Sequence, residues 1–277
     1  MFFIDSHCHF SFSRFSKLST NLPNDFKDKY SVDAIIKRAE EAHVKYMLAI
    51  GTELSDKSEL QSIVDKYENV FRTVGIHPLE AKKHHQLYSR EEISQIIEEE
   101  CQQNKTVGIG EIGLDYHYEK ESETQQNEIF NLQLELAHKC DLPVSIHSRE
   151  AQEDTISILK NHASVGGVFH CFSGEKYFLK NALDLGFYIS ISGVITYKNA
   201  TELQDSLRYI PLDRLLIETD CPFLAPVPVR GKLNEPTFVI YVAEKIAELL
   251  HVSVEKIADV SSQNFFNLFK KCVSAHK

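Results

Sequence analysis

Short runs of β-branched and aromatic residues alternate with amphipathic stretches almost to the end of this chain, the pattern of repeated βα units around a parallel sheet. The runs predicted as strands are Phe2–Asp5, Tyr46–Ile50, Val70–Val74, Val107–Gly110, Val144–Ile146, Gly167–Phe169, Tyr188–Ile191 and Leu215–Ile217. Most lead within a few residues into a helix-like segment. Apolar residues recur at helical spacing in Val32–His43, through Val32, Ile35, Ile36 and Ala39, and in Ile129–Cys140, through Phe130, Leu132, Leu134 and Leu136. Each such stripe is expected to face a core. Eight units close a barrel, so the predicted fold is an α/β TIM (β/α)8 barrel. Beyond the last run, Glu235–Leu250 completes the eighth unit, and Val254–Phe269 is expected to be appended and to close one end.

The length of 277 residues suits an undivided barrel, which needs roughly 250. No linker, low-complexity tract or internal repeat interrupts it, so a single domain over 1–277 is expected. Apolar residues at 43% and charged residues at 25% exclude a disordered or fibrous chain. No stretch approaches the roughly 20 apolar residues of a membrane span, and Met1–Asp5 runs directly into a strand, so a soluble, cytoplasmic protein without a membrane partner is expected. The cysteines Cys8, Cys101, Cys140, Cys171, Cys221 and Cys272 form no CxxC pair and read as reduced thiols. A formal net charge of −10 argues against coating nucleic acid through a broad basic surface. Any nucleic-acid chemistry must be local.

Residues able to bind metal fall just after the strand runs, where a TIM barrel places its active site. The first run leads into Asp5-Ser6-His7-Cys8-His9, and residues two apart on a strand share a face, so His7 and His9 can offer two imidazoles to one ion. The fourth leads into Gly108-Ile109-Gly110-Glu111-Ile112-Gly113-Leu114-Asp115, with Glu111 among glycines that permit close approach. The fifth delivers His147, the sixth His170, and the eighth Glu218-Thr219-Asp220. Chain order divides these candidates: His7, His9 and Asp220 for one ion, His147 and His170 for another, and Glu111 as the bridge. Two ions roughly 3.5–4 Å apart can activate a water and stabilise both oxygens of a phosphoryl displacement. Asp220 is placed to accept that water's proton as general base.

The segments DSHCHF, GIHP, GIGEIGLDYH, IHSREA, FHCFSG, ETDCPFLAP and RGKLNEP, in this order along nearly the whole chain, resemble the TatD family of metal-dependent DNases. The resemblance implies a TIM barrel of the amidohydrolase superfamily, with His7, His9, Glu111, His147, His170 and Asp220 as metal ligands. It further implies magnesium-dependent cleavage of DNA, single-stranded or at chain ends, and a catalytic role for His77. Zn2+ or Mn2+ would also suit the imidazoles. Arg149, two positions beyond His147, can reach a substrate phosphate through its guanidinium fork or form a structural salt bridge. Asp115, Glu218, Asn234 and Glu235 lie in the same segments, as partners that orient a ligand or the mouth loop, or as plain caps and turns.

Three places depart from the family pattern. Leu79 stands where a second histidine often follows GIHP, and Glu150 stands where HSR usually continues with Asp. The third is the long segment Phe10–Ser31, in which Phe10, Phe12, Phe15, Phe26 and Tyr30 interleave with Arg14, Lys17, Lys27 and Lys29. Such a segment can stack bases and follow a phosphate backbone, or form a lid whose aromatics pack on the barrel. Rival readings are another amidohydrolase reaction on a cyclic amide, a phosphotriester or an aminoacyl-tRNA ester, and a non-catalytic metal-binding quality-control partner. Many amide-cleaving relatives bridge their metals with a carboxylated lysine, and Glu111 occupies that strand tip here. Because the chain is acidic and phosphate contacts would be few, DNA affinity is expected to fall only shallowly with salt. A slope of log affinity against log salt corresponding to about 10 contacts would reveal a basic surface and defeat this expectation.

Overall fold

Eight parallel strands, each hydrogen-bonded to the next in sequence, form the sheet of the computed structural model, which describes residues 1–10 and 28–274. They are β1 (Phe3–Cys8), β2 (Val44–Ala49), β3 (Val70–Val74), β4 (Thr106–Asp115), β5 (Val144–Arg149), β6 (Gly167–Phe169), β7 (Tyr188–Ile191) and β8 (Leu215–Ile217). The ring closes where His9 N donates to Cys221 O and Asp220 N to His7 O, both at 2.9 Å. This is a TIM barrel, as the alternation of elements predicts.

The longer helices are α1 (Val32–Glu41), α2 (Lys57–Lys66), α3 (Pro78–Leu87), α4 (Arg90–Cys101), α5 (Glu123–Cys140), α6 (Gln152–Asn161), α7 (Lys176–Asp184), α8 (Thr201–Leu207), α9 (Val239–Leu250) and α10 (Val254–Leu268). Ser31 caps α1 by accepting from Ala34 N at 3.3 Å. That helix stops at Glu41 and the chain turns at His43, at φ 62°, into β2. Helix α5 begins at Glu123, earlier than its apolar stripe, because its first turns bury a glutamine, Gln126, rather than a hydrophobe. Pro236–Phe238 forms a 3-10 turn before α9.

Three strands run further than their apolar patterns. β1 continues to Cys8, β4 to Asp115 and β5 to Arg149, so His7, Glu111 and His147 lie within strands rather than after them. The apolar signal fades where the strand enters the polar mouth, yet pairing continues through Gly113 with His147 and Asp115 with Arg149. Every residue of β4 is buried.

The opposite end is plugged. Phe265 of α10 and Phe269 just beyond it pack with Ile4, Phe71 and Val107, each the second residue of its strand, together with Val168 and Leu216. Asn264 pins α10 there by donating to Leu212 O and Leu215 O, both at 2.8 Å. The expected closing role of this appended segment is thus realised, and access is left to the C-terminal mouth. Phe10 is fully buried in the main core, and Tyr30 packs against that core with the Arg38 guanidinium 5.9 Å from its ring centre. At these two positions the packed reading of the long segment holds. Phe12, Phe15, Phe26, Arg14, Lys17 and Lys27 lie outside the described residues. No helix among the described residues is long and apolar enough to cross a membrane.

Truncating Phe269 to Ala empties a fully buried aromatic site far from the mouth and should cost about 3–5 kcal/mol. Urea unfolding should show a lower midpoint. An unchanged midpoint would mean that the plug does not support the barrel.

Candidate metal centre

Glu111 lies at the centre of the mouth, delivered by β4, and its two carboxylate oxygens face different neighbours. Oε2 is 3.6 Å from His7 Nε2 and 3.7 Å from His9 Nε2. Oε1 is 2.8 Å from His170 Nε2, 2.9 Å from His147 Nδ1 and 3.3 Å from His77 Nε2. Asp220, just past β8, brings Oδ1 within 3.2 Å of His9 Nε2 and 3.6 Å of His7 Nε2. The six residues proposed as ligands on strand order therefore converge, and His77 joins them from the loop after β3.

Close strand packing sets these distances. Gly113, at φ 138°, lies against β5 so tightly that a Cβ there would be 1.9 Å from His147 O. This glycine, two residues beyond Glu111, thus serves the approach of β4 to β5. Two buried glutamines, two helical turns apart on α5, then fix the backbone of both flanks. Gln126 accepts from Asp115 N at 2.8 Å and donates to Asp115 O at 3.0 Å. Gln133 does the same for Ile76, at 2.7 and 3.1 Å, immediately before His77. Neither glutamine was legible as functional, since nothing in an amphipathic helix pattern marks a buried amide as a clamp.

Asp115 and Glu218, left open between orienting and capping roles, both touch ring nitrogens. Asp115 Oδ2 is 3.0 Å from His147 Nε2, while Oδ1 caps a helical turn by accepting from Tyr118 N at 2.9 Å. Glu218 accepts from Cys171 N at 2.7 Å and lies 3.5 Å from His170 Nδ1. Carboxylates of this kind fix ring orientation and raise the basicity of the opposite nitrogen. Asn234 holds the mouth loop instead, donating to Thr219 O at 2.8 Å, and Glu235 binds Arg38 of α1. Asp5 was missed: it accepts from Thr219 N at 2.9 Å, so it fastens β1 to the segment that carries Asp220. Its signal was its place two residues before His7.

His77 caps α3 through its ring. Nδ1 accepts from Leu79 N at 3.1 Å, which makes Nε2 the protonated nitrogen, aimed at Glu111. A protonated nitrogen donates hydrogen bonds and does not ligate, which sets His77 apart from the other four imidazoles. The same bond gives Leu79 a backbone part in placing His77. Glu150, the other departure in the motifs, points away and pairs with His117. Arg149 is exposed and makes no salt bridge among the described residues; its guanidinium lies 4.7 Å from the Tyr118 ring centre. A cavity of about 700 Å3 between α6 and α7 stands apart from the cluster and is walled by Glu150, Glu153, Asp154 and Glu175, a poor lining for an anion.

The electrostatics are those of a cation site. Burial opposes ionisation of Glu111, but His170 and His77 outweigh it and hold the carboxyl well below its ordinary range. Burial likewise opposes the His170 cation, and Glu111 and Glu218 overcome it and raise that imidazole well above its usual value. His7 is pushed down by burial and by His170. Burial pushes Asp220 up to about 6 and Asp5 up to about 8. Buried carboxylates here are balanced only by protons on imidazoles, and no lysine or arginine is ion-paired with Glu111 or Asp220 among the described residues. A mixed set of imidazole nitrogens and carboxylate oxygens without thiolate fits a divalent cation such as Zn2+, Mn2+ or Mg2+.

Comparison with known proteins agrees with the geometry. A sequence model of the family described as TatD related DNase matches residues 4–270. YcfH of Escherichia coli strain K12, an uncharacterized metal-dependent hydrolase, is 40% identical over 271 residues, 97% of this chain and 96% of that one. The 3'-5' ssDNA/RNA exonuclease TatD of Erwinia tasmaniensis is 34% identical over 245 residues, 86% and 93% of the two chains. The crystal structure of YjjV, the TatD homologue of Escherichia coli K12, superposes with a TM-score of 0.82 at 31% identity, covering 97% of this chain and 98% of that one. Fold, donor set and relatives define a metal-dependent hydrolase on a TIM barrel. The chain belongs to the TatD related DNase family.

Asp115→Asn leaves one oxygen to cap the helical turn and removes the charge that orients His147. Metal affinity or activity should fall about 10–100-fold. Metal titration followed by activity at saturating metal reads this; wild-type affinity and rate in the variant would show that Asp115 does not support the centre.

Proposed function

We propose that this protein is a divalent-metal-dependent deoxyribonuclease that hydrolyses phosphodiester bonds at a two-cation centre, acting on single strands or chain ends. The observation that carries the reading is the division of Glu111, with Oε2 toward His7 and His9 and Oε1 toward His147 and His170. In this reading His7, His9 and Asp220 would hold one cation and His147 and His170 the other, with Glu111 shared between them. Bound there, the cations supply electrophilic stabilisation of the phosphate oxygens and make water a nucleophile at neutral pH.

The chain's own groups do the rest. Asp220, whose side chain is 12% exposed against 3% for Glu111, reaches the mouth and accepts the proton of the attacking water. The new P–O bond forms as the ester P–O bond breaks, and the departing oxygen takes up a proton. His77 Nε2–H, fixed by the cap on Leu79, faces the centre and donates a hydrogen bond to that oxygen, while the proton the oxygen takes up is the one Asp220 accepted from the attacking water. Arg149, without an ion pair among the described residues and stacked on Tyr118, donates its fork to a substrate phosphate. The relative named as an ssDNA/RNA exonuclease supports a nucleic-acid substrate and makes RNA a second substrate to test.

The test is a metal-stripped preparation assayed on single-stranded DNA, double-stranded DNA, RNA and a panel of carboxylic esters, with Mg2+, Mn2+ and Zn2+ restored separately. Cleavage of DNA, fastest on single strands, is expected; hydrolysis of carboxylic esters alone would replace the nuclease reading with another hydrolase of the superfamily. In the same assays Glu111→Gln should lose activity and lower the occupancy of both cation positions. Full activity with two metals per chain in that variant would sink the bridge.

A further inference from the structure

Five of the seven arginines among the described residues are ion-paired with a carboxylate. The two that are not, Arg149 and Arg230, both stand at the mouth of the barrel, and each lies over a tyrosine ring, Arg149 over Tyr118 at 4.7 Å and Arg230 over Tyr197 at 4.0 Å. In a chain of net charge −10, carboxylates were available to neutralise them. A guanidinium stacked on a ring keeps its N–H edge directed outward while the ring restricts its swing, the arrangement that suits a phosphate.

The Arg230 pair is built into the fold. Tyr197 follows the 3-10 turn Gly193–Thr196 after β7, and its hydroxyl donates to Ala225 O at 3.1 Å. Val227 N donates to Thr196 Oγ1 at 2.9 Å, and a Cβ on Gly193 would be 2.4 Å from Leu224 O, so the loops after β7 and β8 are locked together. Phe223 N donates to Asp220 O at 3.0 Å, which ties that same loop to the proposed ligand. Lys198 and Lys232, both exposed and without a carboxylate partner among the described residues, flank the pair. The Arg149 pair sits on the helical turn after β4 and the end of β5, and the Arg230 pair on the loops after β7 and β8, three strands further round the ring of eight.

We propose that Arg230, steered by Tyr197, is a second phosphate grip across the metal centre from Arg149, so that the preferred substrate is a nucleic-acid strand laid over the mouth and held at two phosphates. This rests on the nuclease reading above. It assigns a use to the RGKLNEP segment, which the cation centre leaves without one. A dinucleotide, with a single internucleotide phosphate, cannot satisfy both grips, whereas a longer strand can.

The experiment compares the parent with Arg230→Ala, Arg230→Lys, Tyr197→Phe, Tyr197→Leu and Arg208→Ala. The last removes an exposed, ion-paired arginine away from the mouth and serves as control. Binding of a fluorescein-labelled ten-nucleotide DNA strand is followed by anisotropy over a salt series, and kcat/KM is measured on that strand and on the dinucleotide TpT. Arg230→Ala should weaken strand binding about tenfold, reduce the slope of log affinity against log salt by about 0.7, and lower the strand-to-dinucleotide ratio of kcat/KM about tenfold. Arg230→Lys should keep the salt slope and recover part of the affinity. Tyr197→Phe, which keeps the ring, should stay near the parent, and Tyr197→Leu should fall toward Arg230→Ala. Parental strand binding in Arg230→Ala, or a loss matched by Arg208→Ala, overturns the proposal. Equal losses on strand and dinucleotide overturn it as well, since that result marks damage to the centre. If the parent itself neither binds nor cuts the strand, the nuclease reading fails first and the grip fails with it.

Discussion

A carboxylate buried at the centre of a protein needs compensating charge, and Glu111 is buried where no arginine or lysine is ion-paired with it among the described residues. Five imidazoles and a second carboxylate crowd around it, and without a cation the balance rests on protons held by His147 and His170. Such a constellation is costly on its own, because desolvating like-charged groups opposes folding. A bound metal would replace those protons with fixed positive charge and turn the cost into binding energy. The rest of the molecule can be understood as the means of holding this cluster open at one end and rigid at the other.

Rigidity comes from below and from the side. Phe265 and Phe269 fill the barrel beneath the strands, so the strand ends that carry His7 and Glu111 cannot collapse inward. Gln126 and Gln133 on one face of α5 tie Asp115 and Ile76 by paired backbone bonds, each satisfying a donor and an acceptor that strand pairing leaves over. Through Asp115 that bracing reaches His147, and through Ile76 it reaches His77. A single helix thereby orients two residues from different parts of the cluster.

The mouth carries a different logic. The protein is acidic and its centre is rich in carboxylates, so the proposed attraction for an anionic chain would draw on bound cations and on the two arginines that, among the described residues, have no carboxylate partner. Among the described residues the arginines without carboxylate partners stand at the mouth, which would favour contact at a small number of phosphates over adhesion along a surface. Tyrosine stacking lets those arginines stay charged and directed while exposed.

Much of this was legible in the sequence. Short β-branched and aromatic runs separated by amphipathic helices count eight strands, and the position of His7, His9, Glu111, His147, His170 and Asp220 at the ends of those runs assigns them to one face, because a parallel barrel brings all strand ends together. Residue chemistry alone also selects a divalent cation over a structural thiolate site. The extensions of β1, β4 and β5 were not legible, since a polar residue inside a strand looks like the end of one unless its burial is known. Nor could pattern decide that His77 presents a protonated nitrogen, that Arg149 lies on Tyr118 rather than on a carboxylate, or that two glutamines of α5 are clamps. Each depends on contacts between residues more than 10 positions apart or on which ring nitrogen a local cap occupies. Sequence by itself determined which groups are present and at which end of the barrel they emerge; only the closed ring decided which atoms meet, because distances of 3 Å between strand ends are set by packing across the sheet and not along the chain.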